Sequence, residues 1–165
     1  MSGPIDASRP NNLPRRPLEL GDEWVFGPNG ERFWGRFGAA GLLAWHRDAG
    51  VLLQLRAQWS HFGGTWGLPG GARKLDESAV DAAVREAAEE ATVPAEALRV
   101  IHESVNDMGF WSYTTVVAEA TEFFEPVIAD AESQALDWVA VDDVAGLALH
   151  PGFAAAWPLL RHHLA

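Results

Sequence analysis

The stretch that decides the fold is residues 70–93, GGARKLDESAVDAAVREAAEEATV. Two glycines open it, and a run rich in alanine and glutamate then predicts a helix over residues 77–91. At about 100° per residue, Glu86, Glu89 and Glu90 fall within an arc of roughly 100° on one face of that helix. The neighbouring arc carries small apolar side chains, so we expect this helix to lie close to a sheet.

The carboxylate face needs a physical explanation. Like charges four residues apart destabilise an isolated helix by about 0.2–0.5 kcal/mol per pair. Glu89 and Glu90 also lie near the C-terminal end of the helix, where the macrodipole disfavours anions. A divalent cation would turn the repulsion into binding, because hard cations such as Mg²⁺ prefer oxygen ligands. The alternative is a solvent-exposed acidic face, and the helical wheel does not choose between the two.

Composition excludes several classes of protein. The 165 residues suit one domain, and 48% hydrophobic with 21% charged residues is an ordinary globular balance. A formal net charge of -11 argues against a nucleic-acid polymer as partner, because phosphates would be repelled. The absence of cysteine excludes disulfides, a thiolate nucleophile and cysteine-ligated metals.

The chain divides into two parts by composition. Residues 1–20 are rich in proline and polar groups and predict a flexible N-terminal arm, whereas residues 21–165 predict a single domain. The arm lacks the apolar segment of a signal peptide, and no later run reaches the length of a membrane span. We therefore expect a cytoplasmic protein that makes no contact with a membrane.

Most of the domain predicts β-structure around the central helix. Residues 23–35 predict an aromatic hairpin with turn formers in its middle, and residues 37–57 predict two adjacent antiparallel strands. Three further β-rich segments follow the helix, at residues 97–104, 111–120 and 135–144.

A second helix is predicted at the end of the chain. Its apolar residues recur at helical spacing, whereas Pro158 either lies in the first turn of a shorter helix or kinks a longer one. Strands on both sides of one helix, with a second helix at the end, predict a mixed sheet with helices on its faces. The helically spaced residues are Phe153, Trp157, Leu160 and Leu164.

Six residues of the opening stretch match the Nudix box, G-x5-E-x7-R-E-U-x-E-E-x-G-U, in which U is aliphatic. A chance match to six specified residues at a given start has odds on the order of 10⁻⁸. Two positions depart from the pattern, since Thr92 replaces the final glycine and Ala87 is a small aliphatic residue. The six matching residues are Gly71, Glu77, Arg85, Glu86, Glu89 and Glu90.

The chain thus resembles the Nudix family, and the resemblance covers about residues 37–153. The segment GTWGLPGG before the box, Arg56 on the preceding strand and LDWVAVDDVAGLALHPGF after the core are similar to that family. The resemblance implies an α/β/α sandwich, with a mixed β-sheet between helices. It also implies metal-dependent hydrolysis of a nucleoside diphosphate linked to another group.

The resemblance also implies roles for individual residues. Glu86, Glu89 and Glu90 would be ligands of Mg²⁺ or Mn²⁺, and Glu86 would also be a candidate base for the attacking water. Arg85 and Glu77 would orient that cluster through charge-assisted hydrogen bonds. The backbone carbonyl of Gly70 would be free to bind the metal.

Weaker candidates have alternative structural explanations. Glu132 is either an additional carboxylate, acting as ligand or base, or part of a solvated turn. Arg56 either contacts a substrate phosphate or forms a structural ion pair. Trp111 and Tyr113 either stack on a nucleobase or pack in the sheet. The six histidines do not form a metal set by spacing.

We therefore expect a nucleoside triphosphate pyrophosphohydrolase that acts on a small nucleotide with Mg²⁺ or Mn²⁺. An ADP-ribose or nucleotide-sugar pyrophosphatase is the main alternative. A non-catalytic nucleotide-sensing domain is the alternative from another class, although such domains often lose the box carboxylates that are intact here. The isomerase branch of the superfamily uses a cysteine that this chain lacks. A homodimer remains open as the oligomeric state.

Overall fold

The computed structural model describes Leu13 and residues 16–165. The rest of the predicted N-terminal arm, residues 1–12, 14 and 15, lies outside the described residues. No described helix is both long and apolar enough to cross a membrane.

The described chain contains a small hairpin, a larger sheet, two α-helices and short 3-10 turns. The hairpin is formed by β1 (Trp24–Phe26) and β2 (Arg32–Trp34). The helices are α1 (Ala79–Ala91) and α2 (Pro151–Leu160), and the 3-10 turns are Ala95–Ala97, Val141–Gly146 and Arg161–His163. The sheet strands are β3 (Ala39–His46), β4 (Gly50–Arg56), β5 (Trp66–Gly67), β6 (Gly70–Ala72), β7 (Leu98–Asp107), β8 (Ser112–Ala120) and β9 (Ser133–Val139).

The larger sheet is mixed. Its strand order is β5–β4–β3–β8–β7, with β6 also paired to β3 and β9 also paired to β4. Strands β3 and β8 are parallel, and the other pairs are antiparallel. The predicted pairing of β3 with β4 is confirmed, but it extends only over Trp45↔Val51 and His46↔Gly50. Beyond that turn β3 pairs with β6 and β4 pairs with β9, so the box glycines on β6 join the sheet.

The core forms two layers because neighbouring residues of a strand point to opposite faces of the sheet. Leu42 packs in the layer beneath α1, whereas Leu43 packs in the layer beneath α2. The same alternation recurs on β4 and β8, with Leu52 and Val116 on the first layer and Leu53 and Val117 on the second. Helices thus cover both faces, and the predicted α/β/α sandwich is confirmed.

Helix α1 begins two residues later than predicted. Its N-cap is Ser78, whose side-chain oxygen accepts a hydrogen bond from the backbone N–H of Asp81. It ends at Thr92, which has φ 57° in the left-handed region usually taken by glycine. The Thr92 hydroxyl donates to the carbonyl of Val127 at 3.0 Å. Helix α1 therefore ends in the left-handed conformation that the final glycine of the motif would favour, although Thr92 occupies that position.

One prediction near the C-terminus is wrong in detail, and one of the two alternatives for Pro158 is excluded. The β-rich segment 135–144 is a strand only as far as Val139, and a 3-10 turn then begins at Val141. The adjacent Asp142 and Asp143 favour that turn, which buries Val144 in the layer beneath α2. Pro158 lies in the last turn of α2 and not in its first, where Pro151 is found instead.

Candidate active site

Two of the three box carboxylates on α1 are buried. Glu86 is 5% exposed and Glu90 only 1%, which is rare for a charged residue without a partner. Glu89 lies further out, with its side chain 38% exposed. A solvent-exposed acidic face therefore does not describe Glu86 and Glu90, and both side chains face β6.

The two glycines of β6 pack directly against these carboxylates. A Cβ on Gly71 would lie 2.8 Å from the carboxyl carbon of Glu86, so only glycine leaves room for that side chain. The backbone N–H of Gly70 donates to Oε2 of Glu90 at 3.2 Å. The sharp approach of β6 to the helix thus fixes the position of both acids.

Arg85 connects the loop before α1 to the carboxylate cluster. Its Nε and Nη2 donate to the two oxygens of Glu77, both at 2.8 Å, and this bidentate pair lowers the pKa of Glu77. Its Nη2 also donates to the carbonyl of Ala72, and its Nη1 donates to Oε1 of Glu86 at 2.8 Å. Arg85 therefore restricts the orientation of Glu86.

Glu90 is also held from the opposite side by a residue that the sequence analysis missed. Gln54 on β4 donates through Nε2 to Oε2 of Glu90 at 3.1 Å and to the hydroxyl of Ser133 at 2.6 Å. Both Gln54 and Ser133 are buried. The sequence feature that could have identified Gln54 is its position as a polar residue within the apolar run of the strand VLLQLR.

A second segment brings further acids to the same place. Oxygens of Glu90, Asp130 and Glu132 all lie within 4.8 Å of one another. Asp130 is 2% exposed, and the sequence analysis did not single it out. The sequence feature that could have identified Asp130 is a pair of acidic residues, two positions apart, just before a predicted strand. Glu132 lies in the turn before β9, with its side chain 46% exposed, and it also belongs to this cluster.

Burial makes this cluster electrostatically unfavourable without a cation. Desolvation, followed by the charges of Glu86, Glu132 and Asp130, raises the pKa of Glu90 well above its ordinary value. Burial likewise raises the pKa of Asp130 and of Glu132. Positive charge is therefore needed before all of these groups can be ionised together.

In the structure the guanidinium of Arg16 supplies that charge. It lies 2.7 Å from Glu86, 3.2 Å from Glu90 and 3.0 Å from Asp130. It also pairs with Glu89 and lies 3.9 Å from Glu132. One cation thus contacts five carboxylates from two segments of the chain. This donor set, made only of hard oxygens around one positive group, fits a divalent cation.

A cleft of about 620 Å³ opens from the carboxylate cluster. Arg56 lines it and donates through Nε to the carbonyl of His61 at 2.8 Å. No carboxylate of the described residues forms an ion pair with Arg56. The guanidinium of Arg56 is therefore open to an anion, and the structural ion pair weighed from the sequence is not observed.

The predicted stacking residues also line the cleft. Trp111 stacks on Phe33 with ring centroids 4.4 Å apart, so one face of its indole is covered by the protein. Tyr113 lies beside Trp111, and burial raises the pKa of Tyr113 to about 12. The structure brings both residues to the cleft wall, where Phe33 packs behind one face of the Trp111 indole.

Two histidines in the cleft wall are held neutral. Burial, with Arg32 and Arg56, lowers the pKa of His61, and burial, with Arg56 and His61, lowers that of His150 to about 4. Each imidazole therefore offers one donor and one acceptor. Neither residue was assigned a role in the cleft from the sequence.

Comparison with known proteins identifies the family. The NUDIX domain model matches residues 35–162. "Putative 8-oxo-dGTP diphosphatase 3" of Mycobacterium tuberculosis is 52% identical over 151 residues, which cover 86% of this chain and 69% of that protein. A nucleoside triphosphate pyrophosphatase/Nudix hydrolase fusion protein of Bifidobacterium longum is 40% identical, over 84% of this chain and 30% of the fusion.

A solved structure agrees with these matches. The crystal structure of a Nudix hydrolase from M. smegmatis, RenU, has a TM-score of 0.79 and 52% identity, covering 86% of this chain and 94% of that one. The family model spans most of the chain, and the buried box carboxylates Glu86 and Glu90 line the cleft. The chain therefore belongs to the Nudix family and is a hydrolase.

Proposed function

We propose that the chain is a nucleoside triphosphate pyrophosphohydrolase that depends on a divalent cation. The observation that carries the proposal is the convergence of five carboxylates on one cation beside a cleft that is partly lined by aromatic residues. The cleft, of about 620 Å³, is large enough for a nucleoside, and the carboxylate cluster is part of its lining. The name of the M. tuberculosis relative, a diphosphatase for an oxidised guanine nucleotide, supports the same substrate class.

The proposed roles follow from the contacts. Glu86, Glu89 and Glu90 would hold a Mg²⁺ or Mn²⁺ ion, with the Gly70 carbonyl as a further ligand. Such an ion neutralises phosphate oxygens and positions water for attack on phosphorus. Arg85 would keep Glu86 oriented, and Glu77 would keep Arg85 in place.

The proton acceptor is proposed from geometry. Glu86 accepts a hydrogen bond from Arg85 on Oε1, and its other oxygen would be left as a ligand of the cation. Glu132 lies 3.9 Å from Arg16 and keeps a side chain that is 46% exposed. We therefore assign the removal of the proton from the attacking water to Glu132 and not to Glu86, with its carboxylate oxygen as the acceptor.

The remaining substrate contacts lie along the cleft. Arg56 would donate to phosphate oxygens, because its guanidinium has no carboxylate partner among the described residues. Trp111 and Tyr113 would form one wall of the nucleoside site, and Phe33 would support Trp111 from behind. These contacts would hold the substrate in line with the carboxylate cluster.

The substrate class is tested with a panel incubated with Mg²⁺ or Mn²⁺. The panel contains oxidised and unmodified nucleoside triphosphates, ADP-ribose, nucleotide sugars and dinucleoside polyphosphates, and products are identified by chromatography. We expect a nucleoside monophosphate and pyrophosphate from the triphosphates. Preferred cleavage of ADP-ribose or a nucleotide sugar into two monophosphate products would favour the alternative subtype. Binding of nucleotides without turnover would favour the sensor alternative.

The carboxylate assignment is tested with Glu90→Gln. We expect turnover to fall by roughly 10²-fold or more, because the amide keeps the shape but removes a negative ligand of the cation. Steady-state kinetics with the best substrate of the panel measure the effect, and thermal unfolding checks that the fold is intact. Glu96→Gln, on an exposed turn, is the matched control and should keep wild-type turnover. Near-normal turnover in Glu90→Gln would contradict the assignment.

A further inference from the structure

Part of the cleft is lined by two arginines and two histidines, which we call the basic wall. The four residues are Arg32, Arg56, His61 and His150. Neither arginine forms an ion pair with a carboxylate of the described chain. In a protein with a formal net charge of -11, the basic wall is therefore an exception, and its charge favours an anionic ligand.

Contacts between neighbouring side chains fix His61 in the basic wall. The guanidinium carbon of Arg32 lies 4.4 Å from the centroid of the Trp24 ring, and the Trp24 and His61 ring centroids are 5.4 Å apart. Arg56 donates through Nε to the backbone carbonyl of His61 at 2.8 Å. His61 is thus held between the Trp24 ring that carries Arg32 and the side chain of Arg56.

The basic wall and Trp111 contact opposite faces of the β1–β2 hairpin. Residues directly opposite one another in a hairpin share a face, and Trp24 lies opposite Trp34. Phe33 points to the other face, where it stacks on Trp111 with ring centroids 4.4 Å apart. A nucleoside beside Trp111 therefore leaves the His61 side of the cleft to the phosphates.

Arg56 connects the basic wall to the carboxylate cluster. The backbone N–H of Ala57, the next residue, donates to the carbonyl of Glu132 at 2.9 Å. The charges of Arg56 and Glu90 also both act on the pKa of Tyr113, so the phenol lies near both groups. A phosphate chain that starts at a cation on the acids would therefore pass Arg56 before it reaches His61.

His150 supplies a hydrogen-bond donor of fixed orientation. Its Nδ1 accepts from the backbone N–H of Gly152 at 3.0 Å, so the proton of the neutral ring is on Nε2. Phe62 packs against both imidazoles of the basic wall, with ring centroids 4.2 Å from His61 and 4.8 Å from His150. Because the Nδ1 atom is already an acceptor, an anion can bind at Nε2 without protonation of His150.

His61 has no such capping bond in the described chain and is free to gain a proton. Burial, followed by the positive charges of Arg32 and Arg56, lowers its pKa. The charged and titratable groups that face it are Arg32 of β2, Arg56 of β4 and His150 before α2. An anion held between the arginines offsets their charges, so the pKa of His61 rises when the anion binds.

We infer that Arg32, Arg56 and His61 form a subsite for the phosphate group farthest from the nucleoside, and that His61 takes up a proton from solvent when this group binds. The inference rests on the proposed function, because the phosphate chain must start at the carboxylate cluster. The terminal phosphate leaves as part of pyrophosphate, so release of that product returns the proton to solvent. The affinity for pyrophosphate therefore rises as the pH falls.

The direct test follows the His61 ring by nuclear magnetic resonance. Proton–carbon spectra of the histidine side chains are recorded over a range of pH, with Mg²⁺ alone and with Mg²⁺ and inorganic pyrophosphate. The resonance that is missing from His61→Gln identifies His61. We expect this resonance to titrate at a higher pH when pyrophosphate is bound. An unchanged titration would overturn the inference, as would failure of wild type to bind pyrophosphate.

Calorimetry with pyrophosphate in excess Mg²⁺ gives an independent measurement, at about pH 6 and about pH 8. We expect the gain in affinity at the lower pH to be at least about 3-fold larger in wild type than in His61→Gln. The ligand is the same in both titrations, so its own protonation cancels. Arg32→Ala should bind pyrophosphate about 10-fold more weakly than wild type, because a charge-assisted contact is lost.

Arg36→Ala is the matched control, because Arg36 pairs with Glu23 and does not line the cleft. It should bind pyrophosphate like wild type, and near-ultraviolet circular dichroism checks the aromatic packing of each variant. Equal gains in wild type and His61→Gln would overturn the inference, as would unchanged affinity in Arg32→Ala. Cleavage of triphosphates to a monophosphate and pyrophosphate would then leave the proposed function standing. Failure of wild type to cleave any nucleotide would overturn both.

Discussion

The side chain of Arg16 contacts every acid of the candidate metal site. Its guanidinium touches five carboxylates, three of which have pKa values raised by burial. A dication and this guanidinium need the same oxygens, so both cannot occupy the cluster in full. The segment that carries Arg16 also lines the cleft.

We expect the Arg16→Ala variant to bind Mn²⁺ more tightly than wild type. Removal of a competing cation raises the fraction of molecules with free ligands, and we expect the apparent Kd to fall roughly 3- to 10-fold. Titration by electron paramagnetic resonance of free Mn²⁺, without substrate, measures this directly. Arg36→Ala removes an exposed arginine from the pair with Glu23 and should bind like wild type. An unchanged or weaker affinity in Arg16→Ala would show that the two cations do not compete.

Among the elements, α1 places the catalytic candidates by packing closely on the sheet. Ala83 and Ala87 are fully buried against the first core layer, and α1 makes its main contact with β3. Small side chains on this face keep the helix axis near the strands, which also brings Glu86 and Glu90 to β6. The small residues therefore let α1 lie close enough to the sheet for the two carboxylates to reach β6.

Enlarging that interface should destabilise the protein. We expect Ala83→Leu to lower the free energy of unfolding by about 1–3 kcal/mol, because the added atoms have no space between α1 and the sheet. Ala88→Leu, on the exposed side of the same helix, should change it by less than about 0.5 kcal/mol. Urea unfolding followed by circular dichroism compares the two. Equal effects of the two substitutions would mean that α1 can move away from the sheet without a loss of stability.

The elements also show how far the sequence alone could predict the site. The acidic face of α1 was predictable, since helical periodicity is local and places Glu86 and Glu90 together. Asp130 and Gln54 were not, because they reach Glu90 through pairing between distant segments: β4 packs beneath α1, and the backbone N–H of Ala129, next to Asp130, donates to the carbonyl of Glu90. Such pairing joins residues far apart in the chain, and no local pattern records it.

The strands illustrate the same limit. The hairpin over residues 37–57 was predicted from its turn, but the early separation of β3 from β4 depends on strands that come later in the chain. The 3-10 turn from Val141 was missed because apolar residues continue through the end of β9. Burial of Val144 against α2, a tertiary contact, outweighs that local pattern.

On the scale of the whole molecule, the two helices meet the cleft from opposite faces of the sheet. Helix α1 supplies acids to the cleft lining, and His150, which also lines the cleft, caps the N-terminus of α2. The Nδ1 atom of His150 accepts a hydrogen bond from the backbone N–H of Gly152 at 3.0 Å. Global stability is therefore linked to the protonation of a residue in the cleft wall.

Protonation of His150 should destabilise the folded protein in acid. Burial lowers its pKa to about 4, below the ordinary value of 6.5, so the folded state binds fewer protons than the unfolded state in this range. The contribution of neutral His150 to the stability of the folded state is complete above pH 6.5 and is lost as the pH falls toward 4. Between pH 7 and pH 5 we expect a loss of roughly 1–2 kcal/mol from this group. His150→Asn keeps a capping acceptor without a titrating ring. Between pH 7 and pH 5, urea unfolding of this variant should therefore show a loss in the free energy of unfolding that is smaller than in wild type by that amount. An equal loss in both proteins would contradict the link between His150 and acid stability.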